Sequence, residues 1–96
     1  MADRRRLSDE EISTLVSSLA DWTLAGGKLH RRFTFPSFVR AFGFMTSVAL
    51  IAESLNHHPD WSNVYGTVVI DLHTHDLGGI STLDVEFARR VDALPA

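Results

Sequence analysis

The feature that most constrains this chain is the apolar, proline-free stretch between Pro36 and Pro59. It predicts one long helix over residues 38–55, because proline suits a first helical turn and disfavours helical geometry at the residue before it. One face of this helix would carry Phe38, Phe42, Met45, Ala49 and Ala52, and Phe44, Val48, Ile51 and Leu55 widen the apolar surface. So broad a surface indicates burial on two sides or use in assembly, and we expect a homodimer or homotetramer.

Two short hairpins flank this helix. Gly26-Gly27 tolerates the positive φ of a tight turn and separates predicted strands over residues 22–25 and 28–35. A second pair over residues 61–65 and 67–74 turns near Gly66, with apolar residues alternating along the later strand. Short connections of this kind make each pair antiparallel.

Two capping boxes predict the remaining helices. Ser8 with Glu11 begins the first helix, and Ser81 with Asp84 begins the last, each ahead of a helical apolar stripe. The predicted order is α-β-β-α-β-β-α. We therefore expect an α+β fold in which three helices pack on one face of a four-stranded antiparallel sheet.

The length and composition favour one globular domain. The 96 residues suit a single domain over residues 1–96, with residues 1–7, which include Arg4-Arg5-Arg6, as a flexible tail. A net charge of -3 with scattered basic residues argues against nucleic-acid binding. No cysteine occurs, and neither a leader peptide nor a run of 18 apolar residues is seen, so we expect no membrane association and a cytoplasmic location.

Histidines are clustered in the chain. Four of the five, His57, His58, His73 and His75, lie within one 19-residue stretch. Imidazole exchanges protons near neutral pH, which suits general acid-base chemistry. The structural alternative for His57 and His58 is a helix C-terminus, where an imidazolium interacts favourably with the helix dipole. His30 is isolated and is left out of the predicted site.

A zinc site is the metal alternative. His73 and His75 are two residues apart, so on a strand both would project to the same face as Asp71. No recognised zinc spacing is present, however, and we expect no metal and no cofactor. Motifs for covalent or nucleotide chemistry are also absent from the sequence. The residues alone therefore indicate proton transfer.

A wider pattern links these residues to a known family. Glu53, His57-His58-Pro59, Tyr65, His75 and Asp84 occur with the spacing of a signature, and residues 40–46, 48–50, 57–61, 63–65 and 74–76 extend the likeness over nearly the whole chain. The chain resembles the pterin-4a-carbinolamine dehydratases. That resemblance implies dehydration of 4a-hydroxytetrahydrobiopterin to quinonoid dihydropterin in tetrahydrobiopterin recycling, with no metal or added cofactor.

The resemblance also implies residue roles. His57 and His75 would transfer protons and His58 would hold the pterin, so these three histidines form the expected catalytic set. The substrate would also contact Asn56, His73, Thr74 and Asp76. Asn56 stands where animal members of the family have an acidic residue, and His73 stands in place of a small polar residue. Both differences change the polarity of the expected pocket.

Four further residues have two interpretations each. Glu53 lies one helical turn before His57, so it either orients that imidazole or is a solvated charge. Asp84 belongs to the family pattern, but its capping-box position favours a structural role. Trp22 and Trp61 would either wall the pterin or pack in the core.

A non-enzymatic alternative rests on the same resemblance. Animal members of the family also act as dimerisation partners of a homeodomain transcription factor through the apolar second helix. The alternative is therefore a protein-binding module that uses the helix over residues 38–55.

Overall fold

The computed structural model describes residues 4–95, and its element order is the predicted one. The helices are α1 (Asp9–Val16), α2 (Phe38–Leu55) and α3 (Thr82–Asp92). The strands are β1 (Thr23–Ala25), β2 (Lys28–Thr34), β3 (Asp60–Val64) and β4 (Thr67–Leu72), with a 3₁₀ turn at His75–Leu77. The α+β prediction is confirmed.

The four strands form one antiparallel sheet in the order β1-β2-β4-β3. In its centre Ile70 of β4 is paired with Arg31 of β2 and Trp61 of β3. Alternate residues of the central strands are buried against the helices, including Leu29, Val68, Ile70 and Leu72. The opposite face carries polar side chains such as His30 and Arg32, as period-two alternation requires.

Helix α2 packs against the core through only part of its predicted apolar face. Ala41, Val48 and Ala52 are its buried residues, whereas Phe38, Val39, Phe42 and Leu50 are exposed. Of the predicted face, Ala52 is therefore in the core, whereas Phe38 and Phe42 point away from it. By length and composition alone α2 could also cross a membrane, with a mean hydropathy of 1.4. This is weak evidence, because a helix that covers a sheet passes the same test.

Residues 4–7, which were expected to belong to a flexible tail, are held by hydrogen bonds. Residues 1–3 lie outside the residues that the structure describes. The Leu7 amide donates to the Ile80 carbonyl at 2.9 Å, and the Thr82 amide donates to the Arg5 carbonyl at 3.0 Å. Leu7 is also buried. These contacts hold the segment against the loop that precedes α3, and a run of three arginines gives no sequence signal for them.

Candidate active site

The C-terminus of α2 directs the first candidate histidine. Asn56 adopts the left-handed conformation (φ 48°, ψ 46°), and the His57 amide donates back to the Ala52 carbonyl at 3.0 Å. This is a Schellman ending, and asparagine is one of the few residues other than glycine that tolerate it. The helix therefore ends at Leu55, before the restriction that Pro59 imposes on the residue preceding it. The reversal returns His57 to the core.

His57 is nearly buried and is paired with a buried carboxylate. Its side chain is 11% exposed, and its Nε2 lies 2.5 Å from Oδ1 of Asp84, which has no exposed surface. The imidazole also contacts the ring of Phe87 edge-on, with centroids 6.3 Å apart. A proton on Nε2 is therefore directed to Asp84, and Nδ1 has no hydrogen-bond partner within residues 4–95.

Asp84 is held by two further hydrogen bonds. Its Oδ2 accepts from the Thr74 hydroxyl at 2.9 Å and from the Ser81 amide at 2.8 Å. The hydroxyls of Thr74 and Ser81 lie 2.6 Å apart. A buried carboxylate needs such donors to offset its lost hydration. The capping box at α3 is confirmed, but it uses one oxygen of Asp84 and leaves the other for His57.

The second candidate histidine lies on the surface. Nε2 of His58 is 2.7 Å from Oε1 of Glu53, and both side chains are largely exposed. Glu53 therefore contacts His58, not His57 as its helical spacing suggested. Because Asn56 adopts the left-handed conformation, the chain turns so that His58, and not His57, lies beside Glu53.

His73 and His75 follow the end of β4. The strand ends at Leu72, so the expected continuation to residue 74 is wrong, and His75 begins the 3₁₀ turn that Gly78 closes with φ 73°. The two imidazoles contact each other edge-on, with centroids 6.3 Å apart. Asp71, the third member of the zinc alternative, is instead paired with His30 at 2.8 Å. Residues 4–95 contain no group of three or more histidine or carboxylate side chains placed to hold a metal ion.

Asp76 joins the candidate site electrostatically. Hydrogen bonds of 2.7 and 2.8 Å from Arg4 lower the pKa of Asp76, and the positive charges of Arg4 and His57 act in the same direction while partial loss of hydration opposes them. Asp76, Arg4, Asn56 and Arg90 line a polar cavity of about 700 Å³ beside the end of α2. This cavity brings two of the expected substrate contacts together.

Other expected contacts lie elsewhere. Thr74 is buried, so its hydroxyl serves Asp84 and no surface pocket. Trp22 is also buried, and its indole donates to Asp92 at the end of α3 at 2.8 Å. Trp61 is half-buried against the core. The structure therefore places both tryptophans in packing positions.

Sequence reasoning missed the link between His57 and Asp84 and the part played by Ser81. The sequence carries only part of the signal: Ser81 and Asp84 have capping-box spacing, and a cap carboxylate that uses one oxygen for the box leaves the other for a second partner. The pairing joins residues 27 positions apart, which no local pattern encodes. Chemically, the arrangement provides a fixed imidazole that can give or take a proton at Nδ1.

Comparisons with known proteins agree over almost the whole chain. The family model described as pterin 4 alpha carbinolamine dehydratase matches residues 5–94. Relatives that bear this family's name come from a strain of Prochlorococcus marinus, 51% identical over 96% of both chains, and from Solibacter usitatus, 50% identical over 95% of this chain and 96% of the relative.

Two solved structures share the fold. A Brucella melitensis protein described as a transcriptional coactivator/pterin dehydratase has a TM-score of 0.88 and 40% identity, covering 93% of this chain and 97% of its own. A pterin dehydratase-like protein described as a RuBisCO assembly factor in the alpha-carboxysome has a TM-score of 0.60 and 29% identity, covering 75% of this chain and 83% of its own.

Proposed function

Because this chain belongs to the pterin 4 alpha carbinolamine dehydratase family, we propose that it dehydrates 4a-hydroxytetrahydrobiopterin to quinonoid dihydropterin, as a step of tetrahydrobiopterin recycling. The observation that carries the proposal is the buried pair of His57 and Asp84. A family match alone supports the reaction type, whereas this pair supplies a proton-transfer group in the chain itself.

The proposed reaction needs one proton donated and one removed. An imidazolium donates a proton to the 4a-hydroxyl, which leaves as water as the N5 lone pair forms a C=N bond. A base then takes a proton from the ring, giving the neutral quinonoid product. His57 and His75 are the proposed proton-transfer groups, and His58 holds the pterin.

The buried pair defines the chemistry of His57. An ionised Asp84 accepts a hydrogen bond from Nε2, so the neutral imidazole carries its lone pair on Nδ1 and the imidazolium carries its transferable proton there. The same atom thus acts as acid or base without rotation of the ring. Asn56 and Asp76, which line the polar cavity, are the proposed contacts for polar groups of the substrate, with His73 beside His75.

The test is dehydration of a freshly generated 4a-carbinolamine, followed by stopped-flow absorbance and corrected for the uncatalysed rate. His57→Gln should lower kcat roughly 10²- to 10⁴-fold, the usual contribution of a positioned acid or base, and His75→Gln should also lower it. His30→Gln is the matched control, because His30 is paired with Asp71 on the opposite sheet face. Full activity in both His57→Gln and His75→Gln would overturn the proposal.

The exposed apolar face of α2 supports assembly. Phe38, Val39, Phe42 and Leu50 are 48%, 77%, 55% and 69% exposed, and together they form an apolar surface of the kind that marks interfaces. We propose that a second copy of the chain covers this face in a homodimer or homotetramer. The cytoplasmic location stays a prediction that cell fractionation would test.

A protein-binding role through the same face is the second candidate function. The exposed face of α2 favours it, and the two structural neighbours are themselves described as a coactivator and as an assembly factor. A binding module would retain its partner in His57→Gln and lose it in Phe42→Glu. If the chain is an enzyme alone, its activity should be lost in His57→Gln and kept in Phe42→Glu.

A further inference from the structure

A second cavity lies away from the histidines, between β2, the first half of α2 and the end of α3. We call it the phenylalanine cavity; its volume is about 520 Å³, and its walls include Arg31, Phe33, Phe35, Arg40, Gly43 and Phe44. No histidine lines it among the residues that the structure describes. Its volume falls within the range of small-molecule sites.

One wall of the phenylalanine cavity is aromatic. The ring of Phe44 lies 4.6 Å from that of Phe33 and 4.9 Å from that of Phe35, measured between centroids. All three side chains are only partly buried. Grouped rings that keep exposed surface suit a flat apolar ligand, which can stack on them or meet them edge-on.

The charge of Arg31 is already compensated. Its guanidinium lies 2.7 Å from Asp92 and 3.5 Å from Asp21, and its Cζ is 4.3 Å from the centroid of Phe33. Trp22 donates to the same Asp92 oxygen at 2.8 Å. Arg31 is therefore a fixed part of the wall.

Arg40 is different, because its guanidinium has no hydrogen-bond or carboxylate partner within residues 4–95. It lies in the first turn of α2, which carries no acidic residue. A cation there is disfavoured by the helix dipole, so this end of the cavity has uncompensated positive charge. An anionic group would be attracted to it.

Gly43 supplies an independent observation. Glycine in the middle of a helix costs about 0.5–1 kcal/mol relative to alanine. At Gly43 an added Cβ would meet no atom within 4 Å and φ is not positive, so neither packing nor backbone geometry among the described residues requires glycine. Its missing side chain enlarges the cavity beside Phe44.

From these features we propose that the phenylalanine cavity binds a planar aromatic carboxylate. The ring would pack on Phe33, Phe35 and Phe44, and the carboxylate would pair with Arg40. This site is separate from the proposed dehydratase site and does not depend on it. Its ligand class is set by three rings and one unpaired guanidinium.

The test is titration of the full chain with 2-naphthoate, followed by amide chemical shifts and calorimetry, with neutral 2-naphthamide as the matched ligand. We expect saturable binding of the carboxylate with shifts at Gly43 and Phe44. Arg40→Gln should weaken it roughly tenfold or more, the value of a charge-assisted hydrogen bond. Gly43→Leu should abolish it by filling the cavity.

Arg32→Gln is the control variant, because Arg32 is an exposed arginine on the opposite face of the sheet; its affinity should be unchanged. Amide spectra of each variant verify the fold. The proposal is overturned by non-saturable binding, by equal affinity for the amide, or by unchanged affinity in Arg40→Gln. A second copy of the chain could cover the cavity instead of a ligand, and light scattering at the titration concentration tests this. If the protein is oligomeric and binds no naphthoate, the proposal is also overturned.

Discussion

At the scale of single residues, the proposed chemistry depends on Asn56 as much as on the histidines. Its left-handed conformation ends α2 and separates the directions of His57 and His58, so that one imidazole is buried against Asp84 and the other lies at the surface beside Glu53. Two adjacent histidines thus have different environments. That difference supports one proton-transfer role and one holding role.

Asp84 gives the first residue-scale prediction. Asp84→Asn keeps the shape but removes the negative charge that favours Nε2–H on His57, so we expect kcat to fall by about 10²-fold or more. The altered buried hydrogen bonds should lower the free energy of unfolding by about 1–3 kcal/mol. Stopped-flow turnover and denaturant unfolding measure the two effects.

The matched control is Asp71→Asn, which alters a histidine–aspartate pair on the exposed sheet face. It should leave kcat unchanged. If Asp84→Asn kept normal turnover while losing stability, its carboxylate would serve only as the cap of α3.

The histidine cluster itself could be predicted from the sequence, whereas its contacts could not. Glu53 and His57 have the spacing of helical neighbours, but the chain leaves the helix between them. Asp84 reaches His57 through the tertiary packing of α3 beside α2. The periodicity of a sequence predicts which residues are neighbours within one helix or strand. It could not predict these contacts, because they join residues of different elements.

At the scale of elements, helix starts were predicted well and strand ends were not. Both capping boxes are present at Ser8 and Ser81, because each is built from two side chains three residues apart. The end of β4 depends instead on where its partner β2 stops pairing, at Leu29 with Leu72. The alternation of apolar and polar residues continues through His73, so the sequence pattern predicted a strand that is longer than β4.

The capping box of α1 gives a prediction on pH. The hydrogen bonds from Arg5, and then that from the Ser8 backbone, lower the pKa of Glu11 from 4.5 to about 2. A carboxyl group with a lowered folded pKa contributes stability above its unfolded pKa and loses it as the pH falls through the folded value. The contribution of Glu11 should therefore disappear between about pH 4.5 and pH 2.

Thermal unfolding across this pH range measures the effect. Glu11→Gln should lower Tm at pH 7 and flatten the acid dependence of Tm. Glu10→Gln is the matched control in the same helical turn and should leave the acid dependence as it is. An unchanged slope in Glu11→Gln would show that the pairing does not contribute in solution.

At the scale of the whole molecule, α2 presents apolar residues on both sides. The sequence predicted this width, and it grouped Phe38 and Phe42 with Ala52 on one face without deciding which face is inside. The actual inner face is set by contact with β4 and α3 through Ala41, Val48 and Ala52. Helical periodicity identifies which residues share a face, and only the partner elements decide which face is inside.

This orientation leads to a prediction on assembly. Phe42→Glu with Leu50→Glu places two charges on the exposed face without touching the core, so we expect the proposed oligomer to dissociate to monomers that keep their secondary structure. Light scattering coupled to gel filtration measures the mass, and circular dichroism measures the fold.

The control for assembly is Val48→Glu, which buries a charge in the core and should unfold the chain. If the double variant has the same mass as the unaltered protein, the outer face of α2 is not the interface between copies.

The pairing of residues 5–7 with residues 80–82 has a practical consequence for anyone who prepares this protein. The backbone hydrogen bonds of Arg5 and Leu7 hold Thr82 and Ile80, the two neighbours of Ser81, and the Ser81 amide donates to Asp84, which is paired with His57. An affinity tag or a protease scar placed next to Arg4 is therefore an alteration close to the proposed reaction centre. A tag at the opposite terminus would leave these hydrogen bonds intact.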